Sequence, residues 1–367
     1  MTRKTDSLQA LRAIAALWIF ASHAHLGAVQ IWAVAVFFML SGFLMMYNYR
    51  DREDICGFSV KDCVKFSAGK IKKLYLLHLV TTFAALLLAV YEARSYINAA
   101  VLATLLKKLA LNILLVQSWV PIKGWPNALN GVSWYLSTAA FLYFVFPYIF
   151  RLFRKHGSLT LAWTLIGALF VLEYAFGGIS RLLARPVSFV FEGASDMDVY
   201  AVFNYEFPLF RLIDFSIGCA FGYIFTHREQ AMKTTRFAYR LDALCVFFYG
   251  FALWFYNNVV PSTSQVLELR NLVFSMVALL LLAVFAIDRG FISRVLTNRL
   301  TVAFGGLSAY FYLIHELIIR GCMTLLAERG FAFELTLYIT VPLSFVLSVL
   351  LSMGWKKLFA GRARLRA

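Results

Sequence analysis

Ten apolar runs, each about 17 to 20 residues long, recur along the 367-residue chain. About 20 residues of helix cross the hydrocarbon core of a bilayer, so each run is long enough to span it. With 61% hydrophobic and only 15% charged residues, the composition lies far outside that of a soluble domain. The sequence therefore predicts an all-α, polytopic transmembrane bundle of about ten helices. The predicted spans lie at 7–26, 29–47, 74–92, 134–150, 158–176, 209–226, 242–258, 271–287, 301–320 and 335–354.

The basic residues between these runs are unevenly distributed. If the N-terminus is inside, the inside segments hold 24 of the 35 Lys and Arg residues and the outside loops hold eight. Because cytoplasmic loops of membrane proteins carry an excess of Lys and Arg, this asymmetry predicts that both termini are cytoplasmic. It also accounts for the net charge of +16 without a nucleic-acid partner.

The segments outside the spans contain no second domain. In one outside segment, residues 99–116 are apolar except at Lys107 and Lys108, which favours a helix that lies in the membrane interface or dips into it. Residues 355–367 form a basic cytoplasmic tail that is expected to lie on anionic lipid. We therefore predict a single integral-membrane domain over residues 1–367.

Two ionisable residues lie on one face of the first predicted span. Arg12 and His23 are eleven positions apart, which in an α-helix is three turns plus roughly 20° and about 16 Å along the axis. Ionisable groups inside a membrane helix are costly to place in lipid and commonly mark a function. Taken singly, Arg12 could be an interfacial anchor and His23 a hydrogen-bonded interior residue, but their shared face favours a site. His25 points to nearly the opposite side, so the two histidines predict no metal site.

The second span follows after a very short turn, so the first two helices are predicted to form an antiparallel hairpin. Its sequence FFMLSGF at 37–43 contains Ser41 and Gly42. Small residues of this kind permit close approach between membrane helices.

Polar residues also lie where the fourth span begins. Ser133 and Ser137 share a helix face on either side of Trp134. These residues could orient a substrate. Alternatively, the serines bond back to their own helix, as serines in helices commonly do.

Two further groups of polar residues lie in later spans. Arg211 and Asp214 are spaced to pair within one helix, and we interpret them as a structural ion pair. Tyr310 and His315 lie about halfway to two thirds across the ninth span. His315 could carry a proton, and both residues also fit a structural role in the bundle core.

Five segments, in order along almost the whole chain, resemble the integral-membrane acyltransferase-3 family. They are LQALRAIAALWIFASHAH followed by VFFMLSGFLM, GKIKKLYLLH at 69–78, SWYLSTAAFLYFVFP at 133–147, FPLFRLIDFSIGCAFG at 207–222 and GLSAYFYLIHE at 306–316. Members of this family acylate sugars of bacterial envelopes and related substrates. The resemblance implies a multi-pass enzyme of the bacterial cytoplasmic membrane.

The resemblance also implies a reaction and roles for the residues. The protein would be an O-acyltransferase that moves an acyl group, with acetyl favoured, from cytoplasmic acyl-CoA to a hydroxyl of an envelope or exported glycan. Acyl-CoA is then a donor substrate, and no cofactor is permanently bound. Arg12, with Lys70 and Lys73 at the same membrane face, would contact the phosphates of coenzyme A, although the lysines also fit an ordinary positive-inside loop. His23 would be the general base for the acceptor hydroxyl, with an acyl-histidine intermediate as the alternative.

The chain departs from the family pattern at two places. Lys70 and Lys73 stand where the family has arginines, so the charge is kept but the planar fork that suits phosphate is lost. Ala139 stands where many members carry a glutamate. This second departure implies a different proton partner or a divergent subgroup.

Two other functions fit the same sequence. A transporter or flippase of a lipid-linked sugar also needs interior charges in a helical bundle, although no inverted repeat is visible. A non-catalytic partner in polysaccharide assembly is the third hypothesis.

Overall fold

The computed structural model describes residues 6–191, 194–259 and 267–364, and these residues form helices without a β-strand. The α-helices are α1 Asp6–His23, α2 Ile31–Tyr49, α3 Val60–Glu92, α4 Ala99–Ile113, α5 Trp134–His156, α6 Leu159–Val190, α7 Asp196–Phe203, α8 Pro208–Met232, α9 Thr235–Asn258, α10 Leu267–Ile287, α11 Phe291–Leu296, α12 Arg299–Gly305, α13 Ser308–Glu328 and α14 Phe333–Arg364. Nine helical segments within the described ranges are long and apolar enough to cross a bilayer. The predicted all-α, multi-pass membrane bundle is confirmed.

Helix α1 is not among those nine segments, although the sequence predicts a span there. Asp6, Gln9 and Arg12 make its first half polar. The helix is nevertheless largely buried, because α2, α10, α12 and α13 pack around it. A helix that is surrounded by protein can carry such residues at less cost than one that faces lipid.

Helix α3 is longer than the apolar run that predicted it. It begins at Val60 rather than at residue 74, so the predicted basic loop at 61–73 is helical. Ser59 caps the helix by accepting a hydrogen bond from the Asp62 N–H, and the Asp62 carboxylate accepts from the Ser59 N–H. This capping box starts the helix in polar sequence that hydropathy does not detect. With 33 residues, α3 is about 50 Å long and extends beyond the hydrocarbon core.

Other predicted boundaries were also wrong. Helix α6 continues to Val190 instead of ending near residue 176, so the first part of the connection between the predicted spans at 158–176 and 209–226 is helical. The predicted span at 301–320 is broken into α12 and α13. A Cβ atom on Gly305, the last residue of α12, would lie 2.0 Å from the carbonyl oxygen of Gln9 on α1, so the glycine lets these two helices meet. The predicted tail is helical to Arg364, and its last three residues lie outside the described part.

Helix α4 confirms the predicted helix in the outside segment. It has 15 residues and is not among the nine candidate spans. Such a length is too short to cross the hydrocarbon core. Its last turn and the segment after it pack against the start of α5 through hydrogen bonds of Asn112 and Gln117 to Ser133.

The two central helices, α2 and α8, approach each other at backbone distance. A Cβ atom on Gly218 would lie 2.0 Å from the carbonyl oxygen of Met39, and one on Gly42 would lie 2.1 Å from the carbonyl oxygen of Phe215. These two contacts are possible only because positions 42 and 218 are glycines, whose side chains are single hydrogen atoms. The predicted role of Gly42 in close packing is therefore confirmed, with α8 as its partner.

The predicted ion pair between Arg211 and Asp214 is also confirmed. Arg211 Nη1 lies 2.7 Å from Asp214 Oδ2, and both side chains are only 1% exposed. The Ser275 hydroxyl lies 2.6 Å from a Glu173 oxygen and 3.2 Å from Asp214 Oδ1. These contacts join α6, α8 and α10 in the interior of the bundle.

We expect Gly218→Ala to destabilise the protein, because the methyl group would collide with the backbone of α2. Overpacking of this kind costs about 2 kcal/mol. The matched control is Gly167→Ala on α6, where an added Cβ atom meets nothing within 4 Å and the better helix propensity of alanine favours the variant by up to about 1 kcal/mol. Thermal unfolding in detergent would compare the two, and equal melting temperatures would contradict the packing assignment.

Candidate functional site

His23 and His315 are joined by a hydrogen bond between α1 and α13. The His23 Nδ1 and His315 Nε2 atoms are 2.9 Å apart, and the two rings are nearly parallel, with centroids 5.1 Å apart. His315 is completely buried, whereas His23 is partly exposed. The structure thus brings together two predicted site residues that are 292 positions apart in the chain.

The position of His23 at the end of α1 follows from the local backbone. His25 adopts a left-handed conformation with φ of +57°, and the Leu26 N–H donates to the Ala21 carbonyl oxygen at 2.9 Å. This arrangement is typical of a helix C-terminus. His23 therefore lies on the last turn of the helix, at the mouth of the loop that leads to α2.

The hydrogen-bond pattern assigns the tautomer of both rings. His315 Nδ1 lies 3.1 Å from the carbonyl oxygen of Phe311, and a carbonyl can only accept, so Nδ1 carries the hydrogen. In the neutral ring, Nε2 of His315 is then an acceptor, and Nδ1 of His23 must donate to it. Nε2 of His23 then carries the lone pair that a general base requires, and the Gln30 side chain is also hydrogen-bonded to this ring.

A cavity of about 450 Å³ opens beside His23 at the end of the bundle that the charge distribution assigns to the outside. The end of α1, the following loop and the second half of α13 form its walls. Its lining residues are Ser22, His23, His25, Gln30, Glu316, Ile319, Arg320, Met323 and Thr324. We call it the outer cavity.

A second cavity, of about 340 Å³, lies nearer the other end of the bundle and is walled by α1, α2, α3, α5 and α13. Arg12, Lys70, Lys73 and Tyr310 all line it, so the structure brings the three predicted coenzyme A contacts together with Tyr310. We call it the inner cavity. It was not possible to predict from the sequence that Tyr135, Tyr143 and Ser41 also line it, because they come from α5 and α2.

The cations of the inner cavity differ in how they are held. No carboxylate among the described residues forms an ion pair with Arg12. Lys70 donates a hydrogen bond to the Tyr49 hydroxyl and lies 4.5 Å above the Tyr49 ring. Lys73 is exposed and has no ion pair within the described part of the chain. An arginine without a counter-charge in a partly buried cavity is suited to bind an anion.

A single turn of α13 separates the two cavities. Tyr312 lines the inner cavity, and its ring centroid is 5.9 Å from that of His315. His315 in turn bonds to His23, which lines the outer cavity. The Phe311 ring stacks on His315 with centroids 5.4 Å apart, and the Phe20 ring is tilted against it. The histidine pair therefore lies between an inner, cationic cavity and an outer one.

The predicted supporting residues at the start of α5 line neither cavity. Ser133 donates to Asn112 Oδ1 at 2.8 Å, and Ser137 donates to the Leu115 carbonyl oxygen at 2.7 Å. The Trp134 ring lies against Tyr205, with centroids 5.5 Å apart. The two serine hydrogen bonds hold the end of α4 and the segment after it against the start of α5. A role of Ser133, Trp134 and Ser137 in substrate binding stays a prediction.

The comparisons with known proteins identify the family of the chain. A family model described as an acyltransferase domain, acyltransferase-3, matches residues 5–355. The chain belongs to the acyltransferase-3 family. It is also similar to the acyltransferase MdmB of Streptomyces mycarofaciens, with 31% identity over 180 residues. That match covers 45% of this chain and 44% of MdmB, which is less than half of the length of each. No solved structure matches the chain.

The departure from the acyltransferase-3 pattern at Ala139 lies away from the histidine pair. Ala139 is 2% exposed and packs with Ile71 and Leu136. It lines neither cavity. The side chains hydrogen-bonded to His23 are those of His315 and Gln30, and neither of them is a carboxylate.

We expect both His23 and His315 to carry their hydrogen on Nδ1. Side-chain ¹⁵N NMR of the protein in nanodiscs, with histidines assigned by single substitutions, measures this directly. His78 is an internal control, because its Nε2 lies 2.9 Å from the Asn112 carbonyl oxygen and so must carry the hydrogen instead. A hydrogen on Nε2 of His23 would contradict the assignment.

Proposed function

We propose that the protein is a membrane O-acyltransferase that moves an acyl group, with acetyl favoured, from cytoplasmic acyl-CoA to a hydroxyl of an envelope or exported glycan. The proposal places it in the bacterial cytoplasmic membrane. The observation that carries it is the histidine pair, which lies between a cationic cavity and a second cavity at the opposite end. Membership of the acyltransferase-3 family supports the reaction class.

In this proposal the inner cavity receives the donor. Coenzyme A carries several phosphate groups, and the unpaired guanidinium of Arg12 and the exposed ammonium of Lys73 would bind them. Lys70, which Tyr49 holds by its hydrogen bond, would add a third positive charge. Arg12 and His23 are about 16 Å apart along α1, a distance comparable to an extended pantetheine arm. The thioester would therefore approach the histidine pair while the phosphates stay near the cytoplasm.

The chemical step follows from the tautomer of His23. Nε2 takes the proton of the acceptor hydroxyl as that oxygen attacks the thioester carbonyl. The new carbon–oxygen bond forms as the carbon–sulfur bond breaks, and the thiolate of coenzyme A takes the proton from His23, which returns to its neutral form. His315 would act as a positioning residue, because it accepts the Nδ1 hydrogen and stabilises the imidazolium that forms.

The bond to His315 also takes the place of a carboxylate. In many hydrolases a buried acid orients the catalytic histidine and stabilises its charged form. Here the chain from the Phe311 carbonyl oxygen through His315 to His23 would orient the ring without a buried charge. This accounts for a functional site in a chain that has alanine at position 139.

We expect His23→Ala to lower kcat by about 10²- to 10⁴-fold, the usual contribution of a general base. The measurement is release of free coenzyme A from acetyl-CoA by the purified protein in nanodiscs, together with acylation of an added glycan. His78→Ala also removes a buried imidazole, on α3, and should keep catalysis per folded molecule. Unchanged acylation in His23→Ala would refute the role of His23, and sugar transport without thioester turnover would favour a flippase.

We expect Lys73→Gln to raise the KM for acetyl-CoA by about tenfold, since one charge-assisted bond to a phosphate is lost. The neighbouring residue provides the matched control. Lys72 lines a different groove, between α3 and α5, so Lys72→Gln should leave the KM unchanged. Equal effects of the two substitutions would indicate a general electrostatic attraction at the membrane surface instead of a site in the inner cavity.

A further inference from the structure

The outer cavity contains one arginine, but its charge is already neutralised. Arg320 Nε donates to Glu92 Oε1 at 3.1 Å, and its Nη2 donates to Glu92 Oε2. Its Nη1 donates to the Leu129 carbonyl oxygen at 3.0 Å, and Thr324 also donates to Glu92. A guanidinium paired in this bidentate way has little attraction left for a substrate anion.

Glu316 lies in the same cavity, and only one of its two carboxylate oxygens accepts a hydrogen bond from the described residues. Its Oε2 accepts a hydrogen bond from the Gly131 N–H at 3.1 Å. Within the described residues, no donor is bonded to its Oε1. A Cβ atom on residue 131 would lie 3.2 Å from the Glu316 carboxyl carbon, so the glycine lets the backbone hold the carboxylate closely.

The charge that faces this cavity therefore attracts hydrogen-bond donors. Glu316 Oε1 supplies it, and apart from the two histidines the one cationic side chain in the described lining, that of Arg320, is offset by Glu92. The inner cavity attracts anions instead, since no carboxylate of the described residues pairs with Arg12 there. The two cavities of one protein thus differ in the sign of charge that they can accept.

We infer that the outer cavity selects an acceptor that is neutral or carries an ammonium group, such as a polyol or an amino sugar, and that Glu316 makes this selection. The inference rests on the proposed function of the cavity as the acceptor site. A hydroxyl or ammonium donates a charge-assisted hydrogen bond to a carboxylate. A carboxylate or phosphate on the acceptor would instead lie beside a like charge.

The test uses three methyl glycosides of one ring type: a neutral hexoside, its 2-amino analogue and its uronic acid. Acylation by the full chain in nanodiscs is measured with acetyl-CoA, and binding is measured without donor as the rise in melting temperature. Wild-type protein should use the neutral and amino glycosides with a kcat/KM about tenfold or more above that of the uronic acid. In Glu316→Gln the ratio of amino glycoside to uronic acid should fall by about tenfold.

Glu328→Gln is the matched control, since it removes the same charge near the end of the same helix. Glu328 pairs with Arg94 at 2.7 Å and does not line the cavity, so this variant should keep the wild-type ratio. Equal use of the amino glycoside and the uronic acid by wild-type protein, or full discrimination in Glu316→Gln, would overturn the inference while leaving acyl transfer intact. If no glycoside is acylated, the proposed function fails, and binding alone decides the inference: preference for the amino glycoside supports it, and equal binding overturns it.

Discussion

The close contact between α2 and α8 is the constraint on which the rest of the structure depends. Gly42 and Gly218 let the two backbones meet, and α2 is consequently buried on nearly every face. One face of α2 remains for the inner cavity, where Phe37, Leu40 and Ser41 form part of the wall. With α2 held in this way, α1 packs beside it and presents Arg12 to that cavity.

The second constraint is that polar groups in the interior must find partners within the protein. Arg211 and Asp214 form an ion pair with each other, and Ser133 and Ser137 donate hydrogen bonds to the end of α4 and the segment after it. Arg12 does not follow this rule, because no carboxylate of the described chain pairs with it. A partly buried charged group that the fold leaves without a counter-charge is the kind of feature for which a ligand is the simplest explanation.

Hydropathy predicted where the helices cross the membrane better than where they begin and end. It located α2, α5 and α10 closely, because those helices are apolar over most of their length. It missed the first four turns of α3, which are basic and begin at a capping box, and the break between α12 and α13, which lies next to a close contact with α1. Polar helical turns and tertiary contacts have no hydropathy signal, so the boundaries there were wrong.

The sequence by itself determined the membrane class, the family and the common face of Arg12 and His23, because apolar length, ordered motifs and helical spacing are local properties. Only the tertiary structure decided that His315 bonds to His23 and that Tyr310 joins the three cations of the inner cavity. It also decided that Ser133 and Ser137 line neither cavity. These contacts join residues on different helices, and helix spacing specifies only which residues share a face. Which faces meet is decided by packing between helices, and here glycines at the α2–α8 and α1–α12 contacts make that packing possible.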